Sequence, residues 1–324
     1  MNVIVEREKG PLAELEARIT TLRERGTPSA AADVRVLEEK YRELLRDLFG
    51  DLTPWERVNM ARHPKRPIAS DYLAAFEQFD ELHGDRHFRD DLALVGGFAK
   101  LRGRRVVVLA QQKGRDTKEN IRRNFGMVSP EGYRKAARLM NLAVRFDLPL
   151  VTFVDTSGAD PGIASEEHAQ SEAIASALMT LAKVSVPVVS AIIGEGGSGG
   201  ALAIALADRV IMAENAVYSV ASPEGCAAIL WGDAARAPEA AERLKLTSSD
   251  LAAFGIIDEV VLEPLGGAHR DAGAFVERML DAVDASLGEL ELLAPGDLRE
   301  RRYDKFRRIG AWEGAARPQA VAAP

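Results

Sequence analysis

Between residues 105 and 262 the chain alternates between two patterns, and that alternation limits its fold more than any other feature. Short runs rich in β-branched residues occupy 105–110, 150–155, 187–193, 209–213 and 259–262. Most are separated by segments with helical apolar spacing: 131–146, 166–184, 199–207 and 237–254. Short strands alternating with helices indicate an α/β domain whose strands are largely buried. No repeat with a period of 20–50 residues is visible, which excludes a solenoid.

The flanks are helical. Leu12, Leu15, Ile19 and Leu22, then Val34, Leu37, Tyr41, Leu44, Leu45 and Leu48, fall at three- and four-residue spacings around a Gly26-Thr27-Pro28 break. This predicts a helical hairpin over 12–49 with one apolar stripe, packed on its own domain or on another subunit. Residues 55–67, with Pro54, Pro64 and Pro67, read as a linker. A further helix is expected over 274–287, then a basic segment and an Ala/Pro-rich disordered end.

Composition removes several function classes. With 47% hydrophobic residues the chain can bury a sizeable core. Its 324 residues suggest two domains, or one large core with appendages. Cys226 is the only cysteine, so an internal disulfide, a multi-cysteine zinc ribbon and an iron–sulfur cluster are excluded, and a reducing, cytoplasmic setting fits. The histidines at 63, 83, 87, 168 and 269 show no metal-binding spacing, and no metal is expected. The net charge of −7 argues against nucleic-acid binding. Residues 299–308 nevertheless hold six basic residues against two acidic ones, either a solvated helix face or a contact for an acidic partner. The most apolar stretch, 184–207, is interrupted by Pro187, Glu195 and five glycines, which predicts no membrane span.

Three segments could carry chemistry. Gly194-Glu195-Gly196-Gly197-Ser198-Gly199-Gly200 follows one strand and opens a helix. Glycines there permit close approach, and the first N–H groups of a helix point outward without internal partners. Such a turn can hold a phosphate, stabilise a developing oxyanion, or merely allow tight packing. A Walker A loop fails because Ala201-Leu202 replace Lys-Ser/Thr. A dinucleotide fingerprint fits Gly194, Gly196 and Gly199 with Glu214 beyond, although the strand comes late in the domain. A serine-hydrolase elbow fits Ser198, with Asp258 and His269 following in hydrolase order.

The second segment, 155–162, is also a glycine-bearing strand-to-helix turn, and two such turns suggest a crevice at the strand ends. Glu166 and Glu167 just beyond it suit a helix's first turn, with acid/base work as the sharper reading. The third, 111–126, places Lys113, Arg115, Lys118, Arg122 and Arg123 within eleven positions, either an anion contact or a solvated turn.

Several longer stretches carry a resemblance: QKGRDTKENIRRNFGMVSPEGY (112–133), residues 155–172, GEGGSGGALAIA (194–205), YSVASPEGCAAILW (218–231) and EPLGGAHRD (263–271). Together they resemble the carboxyltransferase alpha subunits of bacterial multi-subunit acetyl-CoA carboxylases over nearly the whole chain.

The resemblance implies a crotonase-like α/β fold of repeated ββα units with an N-terminal helical extension. Its divisions would be a helical oligomerisation arm (1–53), a linker and lead-in helix (54–89), the carboxyltransferase domain (90–290), and a basic segment with a disordered tail (291–324). It implies transfer of a carboxyl group from carboxybiotin, borne by a biotin carboxyl carrier protein, to acetyl-CoA, giving malonyl-CoA for fatty acid synthesis. The implied partners are a beta subunit bearing the zinc ribbon in an α2β2 heterotetramer, and a separate ATP-consuming biotin carboxylase. The alpha side would serve biotin and the beta side mostly CoA.

Backbone amides of Gly196, Gly197, Gly199 and Gly200 are the expected oxyanion hole. Gly158 and Ala159 would form the opposite wall, and Ser198, Lys113, Arg115, Arg122 and Arg123 would assist binding. A non-catalytic scaffold is the remaining alternative. The chain departs from the family pattern at Ala110-Gln111 (Gly-His), Ser157 (proline), Asp160 (an aromatic) and His168 (arginine).

Overall fold

The computed structural model describes residues 2–310. The tail expected to be disordered, beyond residue 310, lies outside the described residues.

Eight strands form one mixed sheet: β1 (Gln78–Glu81), β2 (Leu94–Leu101), β3 (Arg104–Gln111), β4 (Leu150–Thr156), β5 (Val188–Gly197), β6 (Arg209–Ala213), β7 (Val217–Ser219) and β8 (Glu259–Val261). The order is β1-β2-β3-β4-β5-β6-β8, with β7 paired to β5. β1, β2 and β3 are antiparallel, whereas β3, β4, β5, β6 and β8 run parallel. Every residue of β4 is buried, as expected of a parallel strand covered on both faces. Helix Pro130–Arg145 packs Tyr133, Ala136, Leu139, Met140 and Ala143 into the core, and helix Gln170–Lys183 adds Ala173, Ala177 and Leu181.

The five expected strands are present, and β5 continues through the first glycines to Gly197. Two expected helices are broken by residues in the left-handed region: Ala169 separates Ile163–Glu167 from Gln170–Lys183, and Lys245 ends Ala237–Leu244 before Ser248–Ala253. The helix expected at 274–287 runs Ala272–Leu290.

The arm is a hairpin of Pro11–Arg25 and Pro28–Phe49, turned at Gly26 (φ 64°). Ile19, Val34 and Leu37 form its seam. Leu12, Leu45 and Phe49 join Ile4, Leu52 and Met60, so the stripe is covered by this chain itself.

The linker reading of 55–67 is wrong. Pro54–Ala61 is a helix with a Thr53/Glu56 capping box, and Val58 and Met60 are fully buried. Pro54 occupies the first helical turn, where a missing N–H costs nothing, so the residue that signalled interruption signals initiation.

The basic segment is a solvated face in part: Arg299, Arg301, Arg307 and Arg308 are exposed, whereas Arg302 and Lys305 turn inward. It lies in helix Pro295–Arg307, where Arg302 is 1% exposed. Its guanidinium donates to the carbonyls of Leu181, Val184 and Val186 and pairs with Asp208. Lys305 pairs with Asp258.

Candidate functional site at the strand ends

Because β3, β4 and β5 are parallel neighbours, the loops after them emerge side by side at one edge of the sheet. The two glycine-bearing turns press directly on each other there. A Cβ on Gly197 would lie 2.1 Å from the Ser157 carbonyl oxygen, and one on Gly200 would lie 2.5 Å from the Ala159 nitrogen. Backbone atoms cannot yield that space, so the tight-packing account of these glycines holds. Gly199 differs: its Cβ would meet only Ile174, at 3.8 Å, and at Gly158 nothing lies within 4 Å.

This separates the expected donors. Gly196 and Gly197 belong to the sheet, opposite Tyr218 and Ser219 of β7, and Gly196 also faces Thr156 of β4. They shape the wall instead of presenting a helix-start amide. Gly158 already donates its N–H to Thr156 Oγ1 at 3.2 Å. Helix Ser198–Ala205 has no side-chain cap, and among the described residues the N–H groups of Gly199 and Gly200 meet no acceptor. Gln111 Nε2 (2.8 Å) and Tyr133 Oη (3.1 Å) both donate to the Gly200 carbonyl, fixing the first turn. Gln111 is one of the departures noted above, and its side chain is fully buried.

The expected cationic contact is largely internal. Lys113 Nζ lies 2.7 Å from Asp155 and 2.9 Å from Glu195, and Glu195 also meets Arg62 at 2.6 Å. Burial alone would strip charge from these groups. Instead the opposed charges hold Glu195 well below the usual carboxylate range and Lys113 above the usual lysine range. Lys113 is therefore not free for a substrate anion. Arg115 pairs with Asp71, and Arg123 binds Glu119 and the Leu92 carbonyl. Arg122 is exposed and has no partner among the described residues. Arg62 was missed because it lies inside the apparent linker. A capping-box reading of Thr53 and Glu56 would have placed it at the C-terminal end of a helix.

A small cleft opens beside the turn, lined by Val58, Arg62, Ser157, Gly197, Ser222 and Pro223. Glu224, in helix Pro223–Trp231, binds Arg62, tying that helix to the charged array. Glu166 lies in the first turn of helix Ile163–Glu167, as the helix-start reading expects.

Ser198 has the left-handed backbone of a nucleophile elbow (φ 52°), but the rest of a triad is absent. Asp258 accepts from Val210 N at the start of β6, the opposite end of the sheet, and pairs with Lys305. His269 is engaged by Glu8 and stacked on His63 at 3.8 Å. The dinucleotide reading fails as well, since Glu214 is committed to the Glu263 N–H. Glu8, His63 and His269 form a potential ligand cluster. Both imidazoles meet the Glu8 carboxylate, which Arg270 also pairs with. Among the described residues no helix is long and apolar enough to cross a membrane.

A family model described as acetyl co-enzyme A carboxylase carboxyltransferase-like matches residues 4–310. An acetyl-coenzyme A carboxylase carboxyl transferase subunit alpha of Thermus thermophilus is 53% identical over 306 residues, covering 93% of this chain and 97% of its own. The protein of that name from Paraburkholderia phymatum is 52% identical over 307 residues, covering 94% and 95%. Among solved structures, the Pseudomonas malonate decarboxylase MdcD-MdcE hetero-dimer aligns with a TM-score of 0.55 at 21% identity, over 67% of this chain and 89% of that one. Transcarboxylase 12S with hydrolyzed methylmalonyl-coenzyme A bound aligns with a TM-score of 0.52 at 25% identity, over 65% of this chain and 41% of that one. The fold is crotonase-like, as the family resemblance implies. The chain belongs to the acetyl co-enzyme A carboxylase carboxyltransferase-like family.

Proposed function

We infer that this chain is the alpha subunit of an acetyl-CoA carboxylase carboxyltransferase, working with a beta subunit in an α2β2 assembly in the cytoplasm. One observation carries the site assignment: two adjacent unpartnered amides, Gly199 and Gly200, at a helix start whose first turn is fixed by Gln111 and Tyr133. Carboxybiotin, borne on the carrier protein and recharged by a separate ATP-consuming biotin carboxylase, supplies the carboxyl group and then a base for the methyl proton of acetyl-CoA.

The residues here fit that group. Open space at Gly158, where an added Cβ would meet nothing within 4 Å, leaves a cradle that a side chain there would narrow. The amides of Gly199 and Gly200, with Ala159 on the neighbouring turn, would hold the ureido oxygen and favour negative charge on it. Preorganised donors of this kind need no titrating side chain, and each contributes about 3 kcal/mol to the transition state. The beta subunit provides the CoA side and the zinc ribbon, which the lone Cys226 does not allow here. The test is reverse transfer, from malonyl-CoA to biotin, in the purified assembly with the beta partner. Activity of this chain alone would refute the assignment.

A further inference from the structure

Beside the glycine turn the parallel register slips. Val154 of β4 faces Ile192 of β5, but Thr156 faces Gly196, so two steps on β4 oppose four on β5. Such bulges re-aim whatever follows them, and here the helix bearing Gly199 and Gly200 follows. Asp155 fills the gap. Its Oδ1 accepts the Glu195 N–H at 2.9 Å and the Lys113 ammonium at 2.7 Å, and a Cβ on Gly194 would sit 2.3 Å from the same oxygen. Lys113 also holds the Glu195 carboxylate, whose other oxygen binds Arg62. The Ile193 carbonyl, within the arch, accepts from Arg66 Nε at 2.7 Å. One carboxylate thus replaces the missing ladder partner, and one ammonium holds it in place from the end of β3.

We propose that Lys113 and Asp155, with Glu195, are positioning residues for carboxyl transfer: they pin the β5 bulge and thereby set where the Gly199 and Gly200 amides point. This rests on the site assignment above. None of the three need touch substrate. Lys113, which the sequence suggests as a phosphate contact, works instead by joining the ends of three neighbouring strands. Because the carboxylates are largely buried and the half-buried ammonium opposes their charge, removing it leaves two carboxylates facing each other, and the arch relaxes.

The test uses the full assembly with the beta partner and active-fraction-corrected kinetics of reverse transfer. Lys113→Met should lower kcat at least tenfold, with the KM for malonyl-CoA within threefold of the parent. Asp155→Asn keeps an acceptor for the Glu195 N–H but loses its charge, so it is the gentler variant if Lys113→Met does not fold. It should lower kcat in the same way. In the double variant the loss should not exceed that of the worse single change, since the residues act as one unit. Folded, assembled variants with kcat within twofold of the parent, or losses that multiply, overturn the proposal. If Gly200→Ala leaves transfer intact, the amide assignment itself fails; if Gly200→Ala abolishes transfer and Lys113→Met does not, only the positioning role fails.

Discussion

Two adjacent glycines give a sharp contrast, because one added methyl meets very different surroundings at each. At Gly200 the Cβ would lie 2.5 Å from Ala159 N, 2.6 Å from the Gly158 carbonyl carbon and 3.0 Å from Tyr133 Oη. Ordinary contact begins near 3.4 Å, so the two turns must part by nearly an ångström. Overpacking of this kind costs about 1–3 kcal/mol. The catalytic cost is larger, since displacing one oxyanion donor removes about 3 kcal/mol, roughly a hundredfold in rate. At Gly199 the nearest atom is Ile174 Cγ2, 3.8 Å away, and an alanine keeps its N–H. Gly199→Ala should therefore stay within about threefold of the parent, and Gly200→Ala should lose about a hundredfold in kcat. The assay is carboxyl transfer from malonyl-CoA to biotin in the assembled complex, with a thermal melt on each variant. Equal losses at both positions, or full activity in Gly200→Ala, would refute the reasoning.

Ser198→Ala should keep transfer activity, and the parent should not be labelled by a fluorophosphonate probe; labelling lost in the variant would restore the hydrolase reading. Arg302→Met should cost about 3–5 kcal/mol in a denaturant melt, because it leaves Asp208 buried without its partner. Burial pushes His269 below its ordinary value, aided by His63 and Arg270 against the upward pull of Glu8. Below about pH 6.5 the unfolded chain therefore takes up a proton that the folded chain refuses, and stability falls as pH falls. Burial favours the neutral form of Glu8, but His269 and His63 hold its carboxyl below the usual range, so stability falls further under more acid conditions. Melting temperatures at pH 7.5, 6.5 and 5.5 should decline in the parent and decline less in His269→Asn; a flat parental profile would contradict this.

The parallel core was legible because its strands are buried on both faces and read as unbroken β-branched runs. β1, exposed and only four residues long, and β7, three residues long, carry no such signal. The glycine turn was visible as a motif, but not which of its amides stay free, since that depends on strand pairing. Gly196 and Gly197 look equivalent to Gly199 and Gly200 until β7 lies alongside β5. Lys113 illustrates the same limit. A lysine after a strand suggests an anion contact, and only the register slip puts Asp155 beside it. The prolines at 54–67 misled because proline marks both a helix start and a break, and burial decides between them.

The hydrogen bond between Glu8 and His269 spans 261 residues of chain. At synthesis rates of about 5–20 residues per second, the carboxylate leaves the ribosome roughly 13–50 s before its imidazole partner. The hairpin can close on itself at once from local contacts, but its attachment must wait for almost the whole polypeptide. During that interval Glu8 and Glu16 lack the His269 and Arg270 side chains that tie the arm to the end of the chain. The nascent arm is held until then by apolar contacts within residues 4–60, and chains truncated before residue 269 would remain in that state.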